Sequence, residues 1–353
     1  MAPYYLPADL QRLTLGVSWK TLGQPGGTSP SDPENQAAIL DICHTATSLA
    51  NDELNQDVRS SLVAEEVYGP SPWAGVLQSG VGRLILAFNP VVDVPFAAIA
   101  PASTPYPKPW RVLPSGAAWA EKRPTGVYGV SQPSPVSGGL NAVLLAAGIL
   151  WKGVPHSQQV ALCYSHGWPH ASLVSPAAAG DAVLQVDEVC GFTGAASTVS
   201  DGASTEVVQV VSVTLPGAAS WSAGGAYFPG NLVAYNGQTW QATMASGQFA
   251  PSGSQVPGSG PYWSSSIYPV GPGTLNLASP LRNPHASIPV LVTSMPHGVC
   301  WGMALYAKSL VLQKGMATVA PPSREGKALS TSEAIEEATV AAVAALRPFA
   351  RVV

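Results

Sequence analysis

The apolar positions of the chain change their period twice. Between residues 31 and 51, Ile39, Ile42, Cys43, Ala46, Leu49 and Ala50 recur at helical spacing and line one face. Ser31 stands where an N-cap belongs, Glu34 follows three residues later and Pro33 suits the first turn. The pattern predicts a helix over 31–51, with a shorter one around 8–14 and a Gly/Pro/Ser connector over 23–32. From about Leu62 the pattern shortens to runs bounded by Gly, Pro, Asn and Ser, which predicts strands. These fall at 62–68, 83–88, 94–98, 110–113, 127–130, 142–151, 158–164, 183–186, 206–213, 274–277 and 290–293. Residues 142–151 are rich in Ala and Leu, so helix and strand both fit there.

The helical period returns near the C-terminal end. Cys300, Ala304, Ala307, Val311 and Leu312 share a face, predicting a helix within 297–319. Pro321, Pro322 and residues 324–327 form an exposed hinge. Ser330-x-x-Glu333 is a capping box, and Ile335, Ala338, Ala342, Ala345 and Leu346 mark a last helix that Pro348 stops. An apolar tail, residues 349–353, follows. The expected fold class is α+β, mainly β. N-terminal helices and a C-terminal helix surround a β-sandwich or barrel-like body, with a small all-β inserted module.

The insertion is read from aromatic spacing. Trp221, Tyr227, Tyr235, Trp240, Tyr262 and Trp263 crowd into a short stretch, and Asn236-Gly237 between two β-like runs is a strong hairpin signal. With Gly230, Asn231, Val233, Gly237, Ala242 and Pro251, these positions resemble the chitin-binding modules of carbohydrate-binding families 5 and 12. That resemblance implies a module core of Trp221, Tyr227 and Tyr235. It also implies a carbohydrate-contacting set drawn from Trp240, Phe249, Tyr262 and Trp263. The strand over 206–213 ends at Leu215-Pro216, and 273–277 reads as its hairpin partner. Residues 217–269 therefore read as a unit hung from a loop tip, removable without harm to the frame.

Composition narrows the function classes. Charged residues make up only 10% of the 353, against about 25% in an ordinary soluble domain. Gly (35) and Pro (34) are abundant, which suits a β-rich chain that buries much surface in an assembly. The net charge of −4 leaves no basic footprint for nucleic acid. Cys43, Cys163, Cys190 and Cys300 lie far apart and form no C-x-x-C pair, so buried thiols are expected rather than a zinc site. The first residues lack the basic and apolar regions of a signal peptide, which disfavours a secreted chitinase, and no apolar run is long enough to span a membrane.

The search for chemistry finds little. His166 and His170 have helical metal-ligand spacing, but Gly167 and Pro169 between them oppose a helix, so they are read as loop residues packed on Trp168. Asp187, Glu188, Asp201 and Glu206 lie near turns and are read as capping or solvated acids rather than a glycosidase pair. With no nucleophile elbow and no phosphate loop, the chain is read as non-enzymatic, with no cofactor and no metal.

The frame around the insertion resembles the head-to-tail adaptor, or connector, proteins of tailed bacteriophages. The resemblance is carried by the run from Asp9 to Gly16, by the helices at 33–51 and 331–347, and by the order of the pieces between. Those pieces are 83–94 followed by Pro109-Trp110, then 164–173, 179–192, 205–213 and 273–285. It implies a virion protein assembled in the host cytoplasm, a homo-oligomeric ring of about twelve copies in the neck. Its helices would pack against the portal protein and neighbouring copies. The tail residues Phe349, Arg351, Val352 and Val353 would contact a neighbour or the next neck or tail protein. Viral DNA would pass through the lumen without sequence-specific binding, and the module would point outward, with host cell-wall glycan as a further partner. The implied segments are 1–60 helical, 61–216 β-rich body, 217–269 module, 270–322 body with a helix, and 323–353 C-terminal helix and tail. Two other classes fit the same residues. One is a minor tail or baseplate protein adhering to host glycan. The other is a bacterial polysaccharide-binding protein or hydrolase.

Overall fold

The computed structural model describes residues 4, 33–68, 74–76, 82–86, 88, 90–101, 103, 110–114, 116–122, 139–146, 158–243, 255–258, 262–285, 290–313 and 330–349. The fold is α+β and mainly β. The expected elements at 8–14 and 127–130 and the hinge at 324–327 lie outside the described residues.

Helix α1 (Pro33–Leu54) buries Ile39, Ile42, Cys43, Ala46 and Ala50 of the predicted face, and Leu54 with them, while Leu49, predicted on that face, is 38% exposed. The helix runs three residues beyond the predicted end. Asn55 adopts φ 54° and the Gln56 N–H returns to Asn51 O at 3.0 Å, so an asparagine supplies the left-handed cap. Helix α2 (His297–Gln313) is buried nearly all round. Helix α3 (Thr331–Leu346) opens with the predicted capping box, Ser330 and Glu333 bonding reciprocally. The three helices share one core, in which α2 and α3 cross closely: a Cβ on Gly302 would lie 2.6 Å from Leu346 Cγ.

The first body sheet has the order β1 (Ser61–Tyr68), β8 (Gln158–His166), β4 (Val91–Pro101) and β5 (Arg111–Val112). Irregularities in β4 between Val91 and Phe96 break its register with β8. A second sheet, β2 (Ala74–Val76), β3 (Gly82–Ile85), β7 (Gly139–Leu145) and β6 (Ala118–Lys122), packs on one face of the first. Residues 142–145, the start of the 142–151 run in which helix and strand both fit, belong to strand β7. They are held between β3 and β6, where ladder pairing outweighs the helix propensity of Ala and Leu.

A third sheet has six strands in the order β10 (Val183–Val186), β17 (Gly273–Leu277), β12 (Thr205–Thr214), β11 (Ala196–Ser200), β18 (Leu291–Thr293) and β9 (His170–Ser172). Here β12 and β17 pair antiparallel, Thr214 opposite Thr274, so the chain leaves and re-enters this sheet at adjacent points. Between them lies the fourth sheet, β13 (Ala219–Ser220), β14 (Leu232–Tyr235), β15 (Gln238–Ala242) and β16 (Trp263–Ser264). Asn236 (φ 50°) and Gly237 (φ 76°) join β14 to β15, the two positive φ values that a type I′ turn requires.

The expectation of a pendant module is corrected by the packing. Val233, Ala242, Tyr262 and Trp263 form one core with Phe96, Ala98, Ala161 and Cys163 of the first body sheet. Successive β8 side chains point to opposite faces. Val160, Leu162 and Tyr164 enter the sandwich; Ala161 and Cys163 meet the module. The module side of the body sheet is built largely from small residues, which lets large aromatic rings approach closely.

Strand β8 ends in a turn that joins the layers. The Trp168 N–H donates to Val58 O at 2.9 Å, and the Ser60 N–H donates to Trp168 O at 2.8 Å. Gly167 has φ +80°, and a Cβ there would stand 2.6 Å from Arg59 O and 2.7 Å from Val58 O. Neither carbonyl can move without breaking those bonds. Gly167→Ala is expected to lose more than about 1 kcal/mol of stability in urea unfolding, since it combines a disfavoured φ with a backbone clash. Alanine at Gly116, also at positive φ but with open space around it, should cost less. Equal losses at the two positions would show that the clash at Gly167 carries no weight.

Candidate functional site

The residues expected to contact carbohydrate divide between core and surface. Trp263 is 4% exposed, its indole N–H donating to Gln255 O at 2.6 Å, and Tyr262 is 6% exposed. Both belong to the module–body core, so neither ring offers a face to a ligand, which corrects their assignment as binding residues. The reason is tertiary: the body sheet fills the space a sugar would take. Trp240 is half-buried and its ring edge lies against Gly258, where a Cβ would be 3.2 Å away. Phe249 lies outside the described residues.

The expected core residues Trp221, Tyr227 and Tyr235 are each half-exposed. Trp221 and Tyr235 meet edge to face, centroids 5.2 Å apart and planes at 72°. Tyr227 meets Trp263 the same way at 5.1 Å and 68°. Stacking along a polysaccharide needs coplanar exposed faces, and rings at these angles do not supply them. Phe228, 65% exposed, is an outward aromatic that spacing did not single out.

Where the module's two connectors cross the body lies an open cleft of about 510 Å³, lined by Leu62, Glu188, Pro216, Pro229, Leu232 and Val270 among others. Its one charged wall, Glu188, is committed to structure. Oε1 accepts from the N–H groups of Val189, Cys190 and Gly271 at 2.9, 2.9 and 2.6 Å, and Arg59 faces Oε2 at 3.7 Å. Arg59 also reaches Asp187 at 3.4 Å, and Asp187 accepts from Ser172 N at 2.8 Å. These acids cap turns, as the sequence reading held. Beside the cleft, Tyr268 hydrogen-bonds Ser165 at 2.9 Å, and burial pushes its phenol up.

The other pair of acids holds a buried histidine. His285 has no exposed surface; Nε2 lies 3.0 Å from Glu206 Oε1, and Nδ1 lies 3.1 Å from Ser204 Oγ and 3.9 Å from Asp201. An ionised carboxylate only accepts, so Nε2 carries the proton. The order Ser–His–Glu is that of a hydrolase triad, but the neighbouring N–H groups of Ala203 and Ser204 already donate to Asp201 at 3.0 and 2.8 Å. They cannot also stabilise an oxyanion. Glu206 likewise accepts from Arg282 and Asn283 N–H groups at 2.9 and 3.1 Å. The arrangement clasps the β11–β12 turn to the 281–285 loop.

His166 and His170 end one strand and begin another. His166 stacks on Phe88 at 4.6 Å and bonds Ser61 at 2.9 Å, while His170 packs edge-on to Tyr4 at 5.1 Å. Among the described residues no group of three His, Cys, Asp or Glu side chains has the geometry to hold a metal.

Both ends of the described chain enter the helical core. Tyr4, 1% exposed, donates through its hydroxyl to Asp57 at 2.5 Å. Phe349 packs edge-on against Trp168 at 5.6 Å, covers Gly298, and its carbonyl accepts from Gln56 Nε2 at 3.3 Å. Expected as a contact to a neighbour, Phe349 is thus an intramolecular anchor, because Trp168 and the small Gly298 form a notch beneath it. Arg351, Val352 and Val353 lie outside the described residues. Neither the Tyr4 plug nor this notch carries a sequence signal beyond an isolated aromatic.

The outer surface of the helical layer combines acids with apolar anchors. Glu333, Glu336, Glu337 and Val340 are exposed on α3, Leu49 and Asp52 on α1, and Trp301 on α2. Among the described residues no helix is long and apolar enough to cross a membrane. No family model, curated protein or solved structure matches the chain.

Two measurements test this assignment. Trp263→Ala should lose about 3–5 kcal/mol of stability, the range for emptying an aromatic core position, where a surface binding residue would lose little. Burial pushes the Cys163 thiol up to about 12, so a thiol reagent should ignore it in the native chain. Replacing 217–269 by Asn-Gly should expose Cys163 to rapid labelling and lower the melting midpoint; an unchanged midpoint would restore the pendant module.

Acid tests the clasp. Burial alone pushes the Asp201 and Glu206 carboxyls up, but backbone N–H donors (Ser204 and Ala203; Arg282 and Asn283) and the facing His285 outweigh it. Both groups titrate below the ordinary carboxylate range. Their stabilisation is therefore full above about pH 5 and is lost as pH falls through the lowered folded values. Glu206→Gln should flatten the fall in stability measured between about pH 5 and about pH 2.5. An unchanged acid slope would place the titration elsewhere.

Proposed function

We propose that the chain is a structural subunit of a ring in the neck of a tailed bacteriophage, a head-to-tail adaptor between portal and tail. The observation that carries this reading is the helical layer. The chain's first and last described helices, with Tyr4 and Phe349, converge on one core at one side of a β body. The connector resemblance implies helical segments before and after a β-rich body, and the packing of these helices together supports the reading. Each of the three helices exposes a large apolar side chain, Leu49, Trp301 and Val340, and α1 and α3 also expose carboxylates, which makes the helices the candidate docking surface. The portal protein, or the next protein of the neck, is the partner for that surface. An acidic to neutral wall lets DNA pass without adhering to phosphates.

No catalytic role is assigned. The one triad-like cluster spends its donors on turn capping, and the cleft's one charged wall is committed to backbone N–H groups. The module serves as a brace on the body sheet, and its edge-to-face rings do not favour a polysaccharide platform.

Purified full-length protein examined by mass photometry and negative-stain microscopy should form closed rings, of about twelve copies if the resemblance holds. In a virion map the same density should lie below the portal. Density confined to the tail tip, or monomers that never associate with portal protein, would overturn the reading.

A further inference from the structure

From Val207 to Leu281 the chain contains no Lys, Arg, Asp, Glu or His, although charged residues make up 10% of the whole. The run includes most of β12, the module and all of β17. Much of it is exposed, so burial does not account for the missing charge. Val207, Val211, Phe228 and Ile267 are 76%, 57%, 65% and 41% exposed.

The strand register gathers part of this run into one surface. On the six-stranded sheet, Leu184, Val208, Val210 and Leu275 enter the core. The opposite face carries Val183, Asn276, Ser212, Gln209, Val207 and Thr198 across β10, β17, β12 and β11. None is charged, and the irregularity between Val210 and Ser212 leaves Val211 exposed as well.

Several of the polar groups on this face are already paired with one another or with nearby backbone. Asn276 Nδ2 donates to Ser212 Oγ at 3.1 Å and Thr214 Oγ1 at 3.2 Å, and Gln209 Nε2 donates to Gly194 O at 2.8 Å. Ser200 and Thr205 share a hydrogen bond at 2.9 Å. Covering the face therefore strands few donors, which removes the usual desolvation cost of burying polar side chains.

We infer that the outer face of the β10–β17–β12–β11 sheet is a contact surface between copies of this chain. Charge selects the occupant. Every copy carries the same net charge of −4, so copies repel where charged surfaces meet. A charged partner laid on this face would bury its charges unpaired, at high cost. The surface it accepts is another neutral one, and this chain supplies such surfaces along the run from Val207 to Leu281. The inference rests on the ring reading for why copies meet at all, and adds where they meet.

The test uses the full chain, wild type against Val207→Glu/Val211→Glu, by sedimentation velocity and mass photometry, with circular dichroism melts to confirm folding. Both positions are exposed, so the melt should be unchanged while association weakens at least about tenfold, as unpaired carboxylates would be buried at every contact. If the double variant fails to fold, Val211→Lys alone gives the same readout. A wild-type oligomer that is not a ring but is dissolved by the substitutions supports the surface while removing the ring reading. Variants that assemble like wild type overturn the surface and leave the ring standing. A wild type that stays monomeric to about 100 µM overturns both. Loss of retention on host cell-wall glycan with assembly intact would make the face a sugar surface and also overturn the inference.

Discussion

The double coverage of strand β8 is the constraint on which the other layers depend. Residues 160–171 contribute to all four hydrophobic cores. Val160, Leu162 and Tyr164 fill the sandwich, Ala161 and Cys163 support the module, Trp168 enters the helical layer and Ala171 begins the six-stranded sheet. A strand buried on both faces has no side on which polar substitution is tolerated. That explains why β8 is buried from Gln159 to its end despite lying in an antiparallel sheet. It also makes the layers interdependent, since a shift of one residue along β8 would exchange its small and large faces.

Interdependence changes what the inserted module means. A carbohydrate-binding-like sequence between two paired strands reads as an appendage, because its ends are adjacent and it has its own hairpin. Here Tyr262 and Trp263 are turned inward, and the small residues opposite them accommodate the rings. A domain this small gains little from its own core. Resting on the body supplies the missing burial, and the same contact stiffens the body.

Charge is distributed as unevenly as volume. The helices hold carboxylates at their outer surface, Glu206 and Asp201 are drawn into a clasp around His285, and the run after Glu206 has none. Polar groups that remain are mostly spent on turns: Glu188 binds three backbone N–H groups and Asp201 two. A chain with few charges, several of them spent on turns, suits a protein whose work is to be packed against others.

The sequence by itself determined what depends on neighbours along the chain. The period of Ile39, Ile42, Cys43, Ala46 and Ala50, the Ser330–Glu333 capping box and the Asn236-Gly237 turn are local patterns with local causes, and each was legible. Tertiary structure alone decided which side of a strand faces which layer. Trp263 and a surface-stacking tryptophan look identical in sequence, because exposure depends on whether a second sheet occupies the space in front of the ring. Likewise Phe349 read as an outward tail, and only the notch made by Trp168 and Gly298, remote in sequence, turned it inward. Residues 142–145 could pair as a strand only because β3 and β6 stood on either side. Local preference is written in a few adjacent residues; burial is a property of what the rest of the chain brings alongside.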